Sequence, residues 1–142
     1  MSKLILASAS LRRLELLKST NIFPDIVEPA NIDETIKKKE KSKFYLKRIC
    51  FEKALSVQKK YKQDTILSAD TIVTTNQKIF GKPSGKEDAI KTLKYLSGRN
   101  HNVSTGVCVL YKNNKKIKII DTKIKFKKLH NDEIDQYIKT NE

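Results

Sequence analysis

Residues 65–75 read TILSADTIVTT, an eleven-residue run of mostly Ile, Val and Thr with one carboxylate, Asp70, at its centre. β-Branched residues at this density predict a strand, and a strand this apolar belongs inside a sheet. Burying Asp70 there is costly unless it is paired or faces a cation. Two readings follow, an acid at a strand end that caps a turn, or a carboxylate retained for chemistry, and the chemical reading is preferred.

The flanking chain supplies helices and further strands. A first strand spans about Lys3–Ala7. Ser10 is a suitable N-cap, and Leu11, Leu14 and Leu17 recur at helical spacing to about Lys18. Asp25–Glu28 reads as a short strand. A long helix is predicted over Ser42–Tyr61, with an apolar stripe of Leu46, Ile49/Cys50, Ala54, Val57 and Tyr61. Lys53 falls inside that stripe. Lys60 lies near it but can snorkel to water from the helix end.

After the Gly81-Lys82-Pro83 turn, Ser84 and Glu87 form an S-x-x-E capping box. The helix that follows carries Ala89, Ile90, Leu93 and Leu96 on one face and stops at Gly98. Strands are predicted over Val103–Leu110 and Lys115–Lys127, joined by a hairpin turn at Asn113-Asn114. The alternation slips phase between Ile119 and Ile120, which predicts a β-bulge. A last helix spans about Asp132–Lys139. With no repeat and no linker, residues 1–142 read as one α/β domain.

Net charge is +14, from 30 Lys+Arg against 16 Asp+Glu, and favours anionic partners. The lysines lie in KKKEKSK (37–43), KKYK (59–62) and KNNKKIK (112–118), with a single aromatic, Tyr61, among them. A solvated basic surface is therefore preferred over a nucleic-acid groove. Cys50 and Cys108 read as buried thiols, and His101 and His130 have no partner at ligand spacing, which argues against zinc. Leu4–Ala7 is too short for a leader or a membrane span, so an intracellular, cytoplasmic protein is expected.

A strand, a small polar loop and a helix N-terminus form an anion site. Arg12 and Arg13 sit in that first helical turn, where cations are mildly disfavoured unless an anion binds. The hydroxyls of Ser8 and Ser10 could then donate to phosphate. The pattern fits two exposed arginines on an ordinary helix equally well. Lys53 is either the structural partner of a buried acid or a phosphate contact. Lys82 reads as a solvated turn lysine. Asp33-Glu34 reads as a metal ligand pair or an exposed acidic turn.

SASLRR (8–13), IDET (32–35), FEKA (51–54), SADT (68–71), FGKP (80–83), LSGRNH with TGV (96–107) and FKKL with DEIDQYIKTNE (126–142) occur in order. Together they resemble the Maf family of house-cleaning nucleoside triphosphate pyrophosphatases, over essentially the whole chain. The resemblance implies a central mixed β-sheet flanked by helices with a nucleotide-binding cleft, similar to the inosine triphosphatase fold. It also implies a hydrolase that uses Mg²⁺ or Mn²⁺, in which water attacks the α-phosphate and releases pyrophosphate. Carried over by position, Asp70 is the general base and a metal ligand, and Glu34 is the second metal-side carboxylate. Ser8, Arg13, Lys53 and Lys82 contact phosphate. Arg12 and Thr71 place the chain nearer the dTTP/UTP type than the subgroup with Trp in the first motif and SDQ in the second.

The family usually has Pro where this chain has Leu11, and it continues past YIKTNE into a block resembling DKAGAYGIQG. The resemblance therefore implies that the C-terminal part of the fold is missing. A homodimer partner or a separately encoded C-terminal piece would complete it. The expected consequence is low stability and low activity of the chain alone. The alternatives at this stage are a truncated, inactive remnant and a basic nucleic-acid-binding protein.

Overall fold

The computed structural model describes residues 2–76 and 78–140; Asn141 and Glu142, the end of the last sequence motif, lie outside them. The elements are β1 (Leu4–Ala7), α1 (Leu11–Ser19), β2 (Ile26–Val27), α2 (Ser42–Gln58) and β3 (Thr65–Thr75), then β4 (Lys78–Phe80), α3 (Lys86–Leu96), β5 (Asn100–Tyr111), β6 (Asn114–Lys125) and α4 (Asn131–Lys139). The six strands form one sheet in the order β2-β1-β3-β5-β6, with β4 paired to β3. β1 runs parallel to both β2 and β3, whereas β4 is antiparallel, so the sheet is mixed. Among the described residues no helix is long and apolar enough to cross a membrane.

The chain divides into two compact units. The first takes in the chain up to Asp70 together with Thr105–Ile119, and the second takes in Thr71–Ser104 and the chain from Ile120 on. In the first unit, α2 buries Tyr45, Leu46, Ile49, Cys50, Ala54 and Val57, a helical stripe, together with Ile5, Leu6 and Ala7 of β1 and Ile66 of β3. Cys50 and Cys108 are both buried and free, as the sequence indicates. Gly106 of β5 lies against α2. A methyl there would stand 2.8 Å from Cys50 Sγ, 3.0 Å from Leu46 Cγ and 3.1 Å from Ile119 Cδ1. The second unit buries Ile72, Leu93, Leu96, His101 and Ile134, with α3 packed on α4.

Several local expectations need correction. The helix α2 ends at Gln58, not Tyr61, and the Tyr61 hydroxyl instead donates to Glu28 Oε1 at 2.9 Å. The Ser84–Glu87 capping box does not form. α3 starts at Lys86, and Asp88, four residues on from Ser84, accepts the Ser84 amide at 3.0 Å. The β5–β6 turn sits one residue early, with Lys112 in the left-handed region at φ 53°. Gln58 Nε2 donates to the Lys112 carbonyl at 2.9 Å and ties this turn to the end of α2. The three-residue strand β4 was not expected; Asn76, at φ 49°, turns the chain into it. The phase slip of β6 coincides with the change of unit after Ile119, and Ile120 is half-exposed at 52%.

Gly106→Ala is expected to destabilise the protein by about 1–3 kcal/mol, because the three crowding atoms belong to buried or strand-held side chains. Chemical denaturation of the two proteins side by side measures it, and a variant as stable as the parent would show that this core can yield.

Candidate active site

Four short segments of the first unit converge through the register of β1 on β3. Ala7 pairs with Ser68, so the loop after β1 leaves the sheet beside the stretch of β3 that ends in Asp70. In that loop the Ser8 hydroxyl accepts the Ser10 amide at 3.0 Å, and the Ser10 hydroxyl accepts the Arg13 amide at 3.2 Å. Ser10 is thus the N-cap of α1, and Ser8 is buried beneath it. The first turn of α1 contains no acid. Arg12 is exposed and Arg13 half-buried, on a helix N-terminus whose dipole favours an anion.

The second link is buried. Ser68 Oγ donates to the Cys50 carbonyl at 2.6 Å and fixes β3 to α2 one turn before Lys53. From there Lys53 Nζ lies 3.6 Å from Asp70 Oδ1 and 3.3 Å from Glu34 Oε1. The two charges that break the apolar patterns of α2 and β3 therefore meet each other. Their side chains are 15% and 18% exposed, so pairing is what offsets their desolvation. Glu34 is more open, at 52%.

The third link holds the segment that carries Glu34. Arg48 Nε donates to Glu40 Oε2 at 2.7 Å and Nη2 to Glu40 Oε1 at 2.9 Å, a bidentate pair. Nη2 also donates to the Thr35 carbonyl at 3.0 Å, and Nη1 reaches Glu52 at 3.2 Å. The Tyr45 hydroxyl donates to the Glu34 carbonyl at 2.7 Å. Sequence reasoning missed Tyr45, Arg48 and Glu40. Glu40 is the only acid in the KKKEKSK run, and Arg48 and Glu52 stand at i, i+4, which is the signal they left.

The electrostatics agree with this wiring. Hydrogen bonds from Arg48 hold the Glu40 carboxyl down at about 2, and Glu40 in turn raises the Arg48 guanidinium. Burial, then the negative charge of Asp70, pushes the Cys50 thiol up to about 12, so it is not a nucleophile at neutral pH. The Tyr45 hydroxyl is raised by burial and by the charges of Asp70 and Glu34.

Of the residues singled out from the sequence, Ser8, Arg12, Arg13, Glu34, Lys53 and Asp70 belong to the first unit, and Glu34, Lys53 and Asp70 are in direct contact. Thr71 and Lys82 belong to the second. Thr71 is half-buried on β3, and Lys82 is exposed in the loop before α3.

A largely buried acid–lysine pair beside a strand–loop–helix N-terminus is the kind of arrangement a phosphate-handling hydrolase uses. Comparison with known proteins gives the lineage. The family model described as Maf-like protein matches residues 3–142, and the chain belongs to that family. It is 46% identical to the dTTP/UTP pyrophosphatase of Pyrococcus furiosus, over 100% of this chain and 74% of that protein. The dTTP/UTP pyrophosphatase of Clostridioides difficile is 42% identical over 98% of this chain and 72% of its own length. That of Rhizobium etli is 42% identical over 96% and 69%.

Because the Glu40 carboxyl is depressed in the folded protein, its stabilisation is complete above the ordinary value of 4.5 and is lost as pH falls from there toward about 2. Glu40→Gln is expected to be less stable than the parent at neutral pH, with the difference shrinking across that acid window. Unfolding followed by circular dichroism from neutral pH downward reads this. A constant difference at all pH values would show that the Glu40 charge is not what binds Arg48.

Proposed function

We propose that this chain is a nucleoside triphosphate pyrophosphatase that hydrolyses dTTP and UTP to the monophosphate and pyrophosphate. The observation that carries the reading is Lys53 shared between Asp70 and Glu34, next to the anion-binding end of β1. The similarity to relatives named dTTP/UTP pyrophosphatase supports the substrate class.

The substrate is a polyanion, and its hydrolysis needs positioned cations more than covalent help. Lys53 serves as the inner cation. On binding, its ammonium exchanges part of its contact with the two carboxylates for a phosphate oxygen. Arg12 and Arg13 supply further charge, with fork geometry suited to phosphate. Ser8, together with the amides at the start of α1, gives directional donors. Arg12 and Thr71 fit the thymidine/uridine type of the family.

Asp70 acts as general base and takes a proton from the attacking water. The leaving pyrophosphate carries its own charge away, so no strong acid is needed opposite it. Glu34 and Asp70 also suit a divalent cation. Mg²⁺ and Mn²⁺ prefer oxygen ligands and commonly bind one or two carboxylates along with substrate phosphates, and two carboxylates drawn to one ammonium are such a donor pair. The cation, when bound, would neutralise phosphate charge.

With a divalent cation the protein is expected to release pyrophosphate, not orthophosphate, from dTTP and UTP. Asp70→Asn should lower kcat by about a hundredfold or more. Coupled pyrophosphate detection on both proteins tests this. Orthophosphate as the first product, or near-normal turnover by the variant, would contradict it.

A further inference from the structure

Glu34 lies in a segment, residues 31–41, that forms no helix or strand. Its carboxylate is half-exposed, so packing does not fix it, and its direction depends on its ion pair with Lys53 and on the backbone beneath. Internal bonds shape that backbone locally. Asp33 Oδ1 accepts the Thr35 amide at 2.9 Å, and Glu40 Oε1 accepts the Lys37 amide at 3.0 Å. Neither bond attaches the segment to the rest of the unit. Tyr45 and Arg48 do that. Tyr45 holds the carbonyl of Glu34, and Arg48 holds the carbonyl of Thr35 and, five residues on, the carboxylate of Glu40. All three guanidinium nitrogens are engaged, and Glu52 on the same helix fixes the ring of donors from behind.

We propose that Arg48 is a positioning residue for the reaction: by latching the Thr35–Glu40 segment to α2 it sets the reach of Glu34, and so the strength with which the site holds its divalent cation. The inference rests on the reading of Glu34 as a cation-side carboxylate. Lysine cannot replace Arg48, since one ammonium cannot bond Glu40 bidentately and the Thr35 carbonyl as well. Arg48 lies one and a half turns before Lys53 on the same helix, so α2 presents both the inner cation and the latch from one rigid element.

The test is a double-mutant cycle on the full chain. Mn²⁺ binding is read by electron paramagnetic resonance in the presence of a non-hydrolysable α,β-imido-UTP, and protection of the Lys37 amide is read by hydrogen exchange. Glu34→Gln and Arg48→Ala should each weaken Mn²⁺ binding. The loss in Arg48→Ala should be about 10–100-fold, as for other residues that orient a ligand. The double variant should be no weaker than the weaker single one, because both changes act through the same carboxylate. Lys37 protection should fall in Arg48→Ala and not in Glu34→Gln. If Arg48→Ala does not fold, Glu40→Gln breaks the latch from its other side and should lose about tenfold. Unchanged Mn²⁺ binding in the latch variants, or losses that multiply in the double variant, overturns the proposal while leaving Glu34 in its role. Unchanged binding in Glu34→Gln overturns that role, and the proposal with it.

Discussion

One ammonium organises the candidate site. Lys53 stands between Asp70 of the central strand and Glu34 of an otherwise irregular segment, 3.6 Å from the first carboxylate and 3.3 Å from the second. Without Lys53, α2 would face an unpaired acid on a largely buried strand, at a cost that burial of the surrounding apolar stripe would have to overcome. With it, three segments distant in sequence are held to one point. Under the proposed function the same charge receives a phosphate oxygen, so the contact that offsets the burial of Asp70 also holds Lys53 in place for a polyanion.

The rest of the first unit keeps that point in place. The Ser68–Cys50 hydrogen bond sets the height of β3 against α2. The absence of a side chain at Gly106 lets α2 approach β5 closely enough to bury Cys50 and Leu46. The Arg48 latch then brings the Glu34 segment up to the helix. Each device is local and short, yet all act on α2, which is why one helix carries most of the chemistry-bearing contacts.

Much of this was legible in the sequence, for a physical reason. A charge in an apolar period is conspicuous, and Lys53 and Asp70 both announce themselves that way. That they pair was left open, because the pairing depends on how β3 sits on α2, which periodicity does not fix. Arg48 was invisible for the opposite reason. It lies at the edge of the buried stripe in a chain with 30 basic residues, where one more cation looks like solvated surface. The Ser84 cap was read from spacing, but the helix is capped one residue later, at Gly85, and Asp88 in place of Glu87 bonds back to the Ser84 amide. β4 is too short and polar to leave a pattern. The family motifs pointed to Glu34, Lys82 and Thr71 where composition alone did not.

The central claim is that Lys53 contacts the substrate's phosphate while Asp70 faces the α-phosphate as base for the attacking water. A crystal structure of the full chain with α,β-imido-dTTP and Mg²⁺ tests it most directly. The account predicts a phosphate oxygen in hydrogen-bonding contact with Lys53 Nζ and the Asp70 carboxylate directed at the α-phosphate. An analogue bound with its α-phosphate away from both residues, and the Lys53–Asp70 pair unchanged, would contradict it.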